Sequence, residues 1–183
     1  MARLGLADLA APALDVVVGG LGLGYTAGAV LENTVMRHLL VIEALSAVIE
    51  WHQREWVPLG STISRDPRCR NAQNNFFERA LSDDGFDSDT PGRRFHAILL
   101  DIDHSPRHFL HPDHAALYQP DGLTQLKKHL QPGGRFSLWS NDPPDQKFSD
   151  ILAGAFDQTA AHVVSFDNPF QQTPSINTVY VAS

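Results

Sequence analysis

Three glycines and one glutamate are the residues of this sequence whose types and spacing most clearly suggest chemistry. Gly20, Gly22 and Gly24 follow the apolar residues 16–18, and Glu43 ends a second apolar run farther along the chain. Glycine permits positive φ and lets a backbone approach a ligand closely. A carboxylate one strand–helix–strand unit later can accept hydrogen bonds from both hydroxyls of a ribose. The pattern therefore predicts a site for the ribose end of a nucleoside ligand, with a plain turn and a surface glutamate as the alternative.

The elements that must position these residues are strands alternating with helices. Strands are predicted at 16–20, 39–43, 68–73, 95–101, 135–140, 162–167 and 177–182. Helices are predicted at 3–11, 26–33, 46–57, 76–81, 122–130 and 147–156. This alternation predicts a parallel sheet with helices on both faces. The last two strands have no long helix between them, so one of them should run antiparallel.

In such a sheet, ligands bind at the carboxyl ends of the strands, where the strand order reverses. Four of the predicted strands end in the glycine turn, Glu43, the pair Asn74-Asn75 and Asp101. The sequence therefore predicts that these groups meet at one edge of the sheet.

Composition and charge exclude several classes of protein. The 183 residues, 43% of them hydrophobic, predict one globular domain over 1–183. The net charge of -7, with basic residues scattered along the chain, argues against a nucleic-acid partner. Cys69 is the only cysteine, which excludes an intrachain disulfide. The sequence contains neither a bilayer-spanning apolar run nor a convincing secretory signal, so we expect a cytoplasmic protein without a membrane partner.

Four histidines lie in one connecting segment, at 104, 108, 111 and 114. On a continuous helix, three of them could share a face and hold a metal ion. Pro106 and Pro112 interrupt such a helix. We therefore predict a solvated, substrate-facing loop and no metal site. The sequence also lacks a Gly-x-Ser-x-Gly hydrolase motif and a Gly-Lys-Ser/Thr phosphate loop.

Five motifs, taken together and in order, carry a family resemblance. They are the glycine-rich run at 18–24, Val41-Ile-Glu43, Asp66-Pro-Arg68, the strand ending at Asp101, and Leu130-Gln-Pro-Gly-Gly-Arg135. From Asp15 onward the chain resembles the class I S-adenosylmethionine-dependent methyltransferase superfamily, and within it the spermidine synthase-like branch. The resemblance implies a three-layer, Rossmann-like α/β fold. Its mostly parallel, seven-stranded sheet would have the order 3-2-1-4-5-7-6, with strand 7 antiparallel.

The resemblance also implies a cofactor, S-adenosylmethionine or its decarboxylated form. The glycine loop would lie against the methionyl part of this cofactor, through Gly19, Gly20, Leu21, Gly22 and Gly24. Glu43 would bind the ribose hydroxyls, with Ala44 and Leu45 beside the adenine. Asn74-Asn75 stands where the family often has Gly-Asp, whose Asp accepts from the adenine amino group. Asn75 could accept through its amide oxygen, although it carries no charge and also donates. The alternative for Asn75 is an asparagine that caps the loop.

The same resemblance indicates the catalytic groups. Asp101 matches an aspartate that deprotonates or orients the attacking amine in spermidine synthases. An amine must lose its proton to attack a carbon beside a sulfonium, so a nearby carboxylate is chemically useful. The second carboxylate of the family motif is displaced here to Asp103, and His104 could itself serve as a base near neutral pH.

The expected function is transfer of an aminopropyl or methyl group to a small acceptor, an amine or a hydroxyl compound. The resemblance does not extend to the small N-terminal β domain usual in the spermidine synthase-like branch, since 15 residues precede the first predicted strand of this sequence. The alternatives are a small-molecule methyltransferase and a non-catalytic nucleoside-binding module. A nicotinamide oxidoreductase shares the glycine–glutamate pattern alone. A homodimer is a reasonable assembly, given a bare sheet edge and the surface tryptophans.

Overall fold

Strands and helices alternate along the chain in the computed structural model, which describes residues 1–168 and 173–183. The strands are β1 (Leu14–Gly19), β2 (Met36–Glu43), β3 (Cys69–Gln73), β4 (Phe95–Leu100), β5 (Leu130–Ser140), β6 (Thr159–Phe166) and β7 (Ser175–Ala182). The α-helices are α1 (Ala2–Leu6), α2 (Tyr25–Leu31), α3 (Ser46–Gln53), α4 (Gly60–Arg65), α5 (Phe76–Leu81), α6 (Pro120–Lys127) and α7 (Gln146–Ala155). A 3-10 helix covers Pro112–Ala116.

One seven-stranded sheet has the order β3-β2-β1-β4-β5-β7-β6. Strands β1 to β5 pair in parallel, whereas β7 runs antiparallel to both of its neighbours, β5 and β6. The predicted strand order and the antiparallel seventh strand are therefore confirmed. The reversal of strand order between β1 and β4 places a ligand crevice at the carboxyl ends of these two strands.

Helices cover both faces of the sheet, because alternate strand residues point to opposite sides. In β1, Val16 and Val18 pack in one core with residues of α1 to α4, whereas Val17 packs in the other with residues of α5 to α7. All three valines are completely buried. The continuous apolar run of β1 is therefore the sequence signature of a strand that is covered on both faces.

Element bounds differ from the sequence-based expectations by several residues in places, as in α3, which ends at Gln53 rather than at residue 57, and three further differences have a local cause. Helix α4 was not predicted; it follows Pro58, which marks the end of the preceding helical pattern. Helix α1 ends at Leu6, and Asp8 adopts a positive φ of 57° that is incompatible with a continuing helix. The Pro-Gly-Gly turn lies inside β5, where the pairing with β4 shifts register and Gly133 has a φ of 74°. This irregularity is a bulge that lets the strand begin at Leu130.

The amino ends of the central strands contain a network of buried carboxylates and arginines. Asp15, in β1, is paired with Arg37 at 2.5 Å and with Arg93 at 3.4 Å. Asp87, before β4, is paired with Arg70 at 2.5 Å and with the same Arg93 at 2.8 Å. Both carboxylates are almost completely buried. Arg93 therefore joins two ion pairs at the end of the sheet opposite the predicted site.

None of the helices in the described part of the chain combines the length and apolar character that crossing a bilayer requires.

Candidate functional site

A cavity of about 300 Å³ opens at the carboxyl ends of β1, β2, β3 and β4. It is lined by Gly20, Gly22, Ile42, Glu43, Ala44, Leu45, Val48, Asn74, Asn75, Phe76, Phe77, Asp101, Ile102, Leu110 and His114. Most of the lining side chains are apolar, and a few polar groups converge among them. This composition is typical of a small-molecule site.

The glycine loop lines the cavity through Gly20 and Gly22. Gly20, Gly22 and Gly24 have φ values of 91°, 47° and 89°, in the left-handed region that favours glycine. A Cβ at Gly20 would collide with the backbone carbonyl of Asp101, whereas one at Gly22 would meet open space. Gly20 therefore lets β1 and β4 approach closely, and Gly22 leaves room for a ligand against the loop backbone.

His52 forms a hydrogen bond with the backbone of the glycine loop. It lies on α3, is fully buried, and contacts the Gly22 carbonyl through Nε2 at 3.0 Å. Because a carbonyl only accepts, Nε2 must be the donor. His52 Nδ1 has no hydrogen-bond partner in the described part of the chain. The histidine thus fixes the direction of the Gly22 peptide, which reduces the ordering that a ligand would have to impose.

Glu43, at the end of β2, is oriented by two backbone groups. Its Oε2 accepts from the Leu21 N–H at 3.0 Å and its Oε1 accepts from the Leu45 N–H at 2.9 Å. A carboxylate offers about four acceptor sites, so each oxygen keeps one for a further donor. The side chain is half-buried and lines the cavity. The site therefore presents two fixed acceptor oxygens, which suits a pair of neighbouring hydroxyls.

Asp101 faces the same cavity from the end of β4. Its Oδ2 accepts from the Thr26 hydroxyl at 2.6 Å, and its backbone N–H donates to Gly19 at 2.9 Å. Thr26 belongs to the first turn of α2, directly after the glycine loop. The carboxylate is thereby held across the switch point of the sheet, and its Oδ1 has no hydrogen-bond partner among the described residues.

Asp103 does not line the cavity. It is 3% exposed, and three donors surround it. Its Oδ1 accepts from the Leu110 N–H at 2.7 Å and from His114 Nδ1 at 2.8 Å, while its Oδ2 accepts from the Tyr118 hydroxyl at 2.8 Å. Burial and the carboxylate charge raise the pKa of Tyr118 well above its ordinary value. Asp103 therefore organises the segment after β4 and cannot contact an acceptor directly.

The asparagine side chains at the end of β3 already have hydrogen-bond partners within the protein. Asn75 is the N-cap of α5, and its Oδ1 accepts from the Phe77 N–H at 2.9 Å and the Glu78 N–H at 3.3 Å. Its Nδ2 donates to Glu78 at 3.0 Å. Asn74 Oδ1 accepts from the Asn75 N–H at 2.9 Å. Asn75 lines the cavity, yet both acceptor positions of its amide oxygen are used by the helix terminus.

The structure brings together about half of the predicted site residues. Those that line the cavity are Gly20, Gly22, Glu43, Ala44, Leu45, Asn74, Asn75 and Asp101. Gly19, Leu21 and Gly24 lie under the loop or within it and support its shape: Leu21 through its N–H to Glu43, Gly19 against Phe76, and Gly24 against His52. His104 is exposed outside the cavity, and its carbonyl accepts from the Asn141 N–H at 2.7 Å.

Thr26, Phe77 and His114 were not among the predicted site residues. His114 lines the cavity and stacks on Phe77, with ring centroids 3.6 Å apart and planes 11° from parallel. The sequence signal for His114 is its place in the histidine-rich segment, which is predicted to be a substrate-facing loop but without a role for any single histidine of that loop beyond His104. Within residues 1–168 and 173–183, the structure contains no group of three or more His, Cys, Asp or Glu residues arranged to hold a metal ion.

The fold is shared with proteins of known structure, although no family model and no curated protein matches this sequence. Spermidine synthase from Thermotoga maritima superposes with a TM-score of 0.71 at 18% identity, over 99% of this chain and 57% of that protein. A spermidine synthase in complex with the transition state analogue AdoDATO gives 0.71 at 20% identity, over 96% of this chain and 56% of that protein. Human methyltransferase-like protein 13, in complex with SAH, superposes with a TM-score of 0.63 at 18% identity, over 96% of this chain and 73% of that protein.

These likenesses confirm the Rossmann-like methyltransferase fold, in the form found in spermidine synthases and methyltransferases. The chain spans less than two thirds of the length of the two spermidine synthases. At these identities the comparison concerns the fold, and the activity must be argued from the site.

Proposed function

We propose that this protein binds S-adenosylmethionine or its decarboxylated form and transfers a methyl or aminopropyl group to a small amine or hydroxyl acceptor. The observation that carries the proposal is the Glu43 carboxylate, held by the Leu21 and Leu45 N–H groups with an acceptor position free on each oxygen. Two neighbouring ribose hydroxyls would donate to these positions. The open space at Gly22 accommodates the part of the cofactor that passes over the loop.

A bound sulfonium supplies an alkyl carbon whose bond to sulfur breaks as the acceptor attacks, and the electron pair of that bond stays on sulfur. The chain's part is to position the acceptor and to accept its proton. Asp101 lies across the switch point from Glu43, with Oδ2 held by Thr26. Its other oxygen would accept the proton that an amine or hydroxyl loses. Most of the acceleration in such a displacement comes from holding the two reactants in line.

Isothermal titration calorimetry with four ligands tests the binding half of the proposal. The ligands are S-adenosylmethionine, its decarboxylated form, S-adenosylhomocysteine and NAD. We expect at least one sulfonium and S-adenosylhomocysteine to bind more tightly than NAD. Tighter binding of NAD, or no binding of any adenosyl sulfur compound, would contradict the proposal. Preference between the two sulfonium forms assigns the transferred group.

Transfer from a labelled donor to putrescine and to a panel of small amines and alcohols tests the catalytic half. Asp101→Asn keeps a hydrogen-bond acceptor for Thr26 but is a far weaker base, so it should bind donor within about threefold of the wild type and transfer at least about 100-fold more slowly. Thr26→Val is the matched control, because it removes the orienting hydroxyl and leaves the carboxylate. The transfer rate of Thr26→Val should lie between those of the wild type and Asp101→Asn. Donor binding without transfer to any acceptor would instead favour a non-catalytic nucleoside-binding module.

A further inference from the structure

The strand order determines which groups of the chain meet each end of a bound nucleoside. β4, with Asp101, lies on one side of the glycine loop, whereas β2, with Glu43, and then β3 lie on the other. With the ribose at Glu43, the reacting end of the ligand extends over the loop toward Asp101. The nucleobase then extends toward the end of β3, where Phe77 and His114 line the cavity.

At this end of the cavity the Asn75 amide oxygen has no free acceptor position, and the Asn74 oxygen already accepts from the Asn75 N–H. Asn75 Oδ1 already accepts from two backbone N–H groups of α5, and its Nδ2 is bonded to Glu78. A base whose amino group must be recognised here needs another acceptor. An unpaired buried donor would otherwise weaken binding.

His114 supplies such an acceptor. Its Nδ1 contacts Asp103 Oδ1 at 2.8 Å, and a carboxylate can only accept. In the neutral ring the proton therefore sits on Nδ1, which leaves a lone pair on Nε2. Nε2 has no hydrogen-bond partner among the residues that the structure describes, and the side chain is 14% exposed at the cavity. Stacking on Phe77 fixes the plane of the ring.

We propose that His114 selects the nucleobase, with Nε2 accepting a hydrogen bond from the exocyclic amino group of a 6-aminopurine. Asp103 is the positioning residue, because it fixes the tautomer and the orientation of the ring. A 6-oxopurine would place a carbonyl oxygen against the same lone pair, and two acceptors cannot bond. The inference rests on the proposed function, since that function places the ribose at Glu43. It adds that the site distinguishes adenosyl from inosyl ligands.

Calorimetry of the full chain with S-adenosylhomocysteine and S-inosylhomocysteine tests this inference. We expect the wild type to bind the adenosyl ligand at least about tenfold more tightly. His114→Gln presents an amide that can donate or accept, so the ratio of the two affinities should fall to about one. His114→Phe preserves stacking on Phe77 and removes both nitrogens, and it should lower the ratio as well. Thermal unfolding verifies that each variant is folded.

Asp103→Asn separates the orientation of the ring from the charge of its partner. The Leu110 N–H can only donate, so the amide oxygen should stay toward Leu110 and His114 while the amide nitrogen faces the Tyr118 oxygen, which can accept. The proton then remains on Nδ1, and the affinity ratio should stay within about twofold of the wild type. Loss of discrimination in this folded variant would contradict the assigned role of Asp103.

The outcomes distinguish this inference from the proposed function. Glu43→Ala should weaken both ligands by a similar factor and leave their ratio unchanged. Equal binding of both ligands by the wild type overturns the inference alone, as does a ratio that His114→Gln leaves intact. A His114→Gln variant with slower transfer and unchanged discrimination places His114 at the reacting end and overturns it too. If neither ligand binds the wild type, the inference is wrong. The proposed function is wrong as well if neither sulfonium form binds in the four-ligand titration.

Discussion

The two ends of the central strands surround their carboxylates with opposite kinds of partner. At the amino end, Asp15 and Asp87 are buried and each is paired with two arginines. At the carboxyl end, Glu43 and Asp101 accept hydrogen bonds from backbone N–H groups or a hydroxyl. Within the described part of the chain, neither forms an ion pair with a lysine or arginine, and Asp101 interacts electrostatically with the Met1 ammonium. The same residue types therefore occupy two different electrostatic situations in one sheet.

The difference separates carboxylates that stabilise the fold from carboxylates available to a ligand. A buried carboxylate with two guanidinium partners has its charge compensated and its acceptor positions filled. A carboxylate held only by N–H or O–H groups keeps its charge and part of its hydrogen-bonding capacity. We therefore expect substitutions at the carboxyl end to affect binding and those at the amino end to affect stability.

Glu43→Ala should produce the largest effect. It removes both oxygens proposed to accept from the ribose, and charge-assisted hydrogen bonds are the stronger kind. We expect the affinity for S-adenosylhomocysteine to fall about 100-fold, or about 2.7 kcal/mol, while the free energy of unfolding changes by less than about 1 kcal/mol. Calorimetry and urea unfolding measure the two quantities.

Glu50→Ala is the matched control for Glu43. Glu50 lies on α3 and forms an exposed ion pair with Arg54. Such surface pairs contribute little, so both the affinity and the stability of this variant should match the wild type. If Glu43→Ala binds the ligand as the wild type does, or loses mainly stability, the role of Glu43 is structural, like that of Asp15 and Asp87.

Arg93→Met should show the reverse pattern. Arg93 pairs with both Asp15 and Asp87, and each aspartate keeps one other arginine in the variant. Removing one partner of a buried ion pair is costly, and with the remaining arginines in place we expect a loss of about 2 kcal/mol in the free energy of unfolding. Ligand affinity should stay within about twofold, since the network lies at the opposite end of the sheet.

Arg94→Met tests whether the effect belongs to this network. Arg94 is exposed and forms no ion pair with the described residues. Its loss should change the free energy of unfolding by no more than about 0.5 kcal/mol. If both variants are destabilised equally, the ion pairs of Arg93 do not account for the loss.

Sequence patterns predicted the fold and the meeting of the glycine loop with Glu43 at one cavity, because both depend on local signals. The apolar run of β1, the glycines that follow it and Glu43 at the end of β2 are each visible within a few residues. The contacts Thr26–Asp101 and Asp103–His114 join residues that only the folded chain brings together. The Asn75 cap was accessible from sequence, since an asparagine precedes a predicted helix and Glu78 follows three positions later. A capping asparagine is the alternative to the adenine-binding role predicted for Asn75, and the structure shows the cap.

The two carboxylates at the amino end, Asp15 and Asp87, have lowered pKa values, which makes part of the protein's stability depend on pH. Burial alone would raise the pKa of Asp15, but Arg37 and Arg93 outweigh it and leave that pKa below the ordinary value of 3.8. Burial would likewise raise the pKa of Asp87, and Arg93 and Arg70 bring it below 3.8. Because the folded-state pKa is lowered, the stabilisation is complete above the unfolded-state value. It is lost as the pH falls through the folded-state value.

The smallest predicted effect is a difference between the wild type and Arg93→Met in how much stability is lost at low pH. As the pH falls from about 6 to about 3, the wild type should lose about 1 kcal/mol more of its free energy of unfolding than Arg93→Met, whose aspartates have less stabilisation to lose. Urea unfolding followed by circular dichroism at each pH measures this difference. Glu43→Ala retains the whole arginine network, so its stability should decline in parallel with the wild type. If Arg93→Met also follows the wild type, the acid-sensitive stability does not depend on Arg93 and arises elsewhere in the chain.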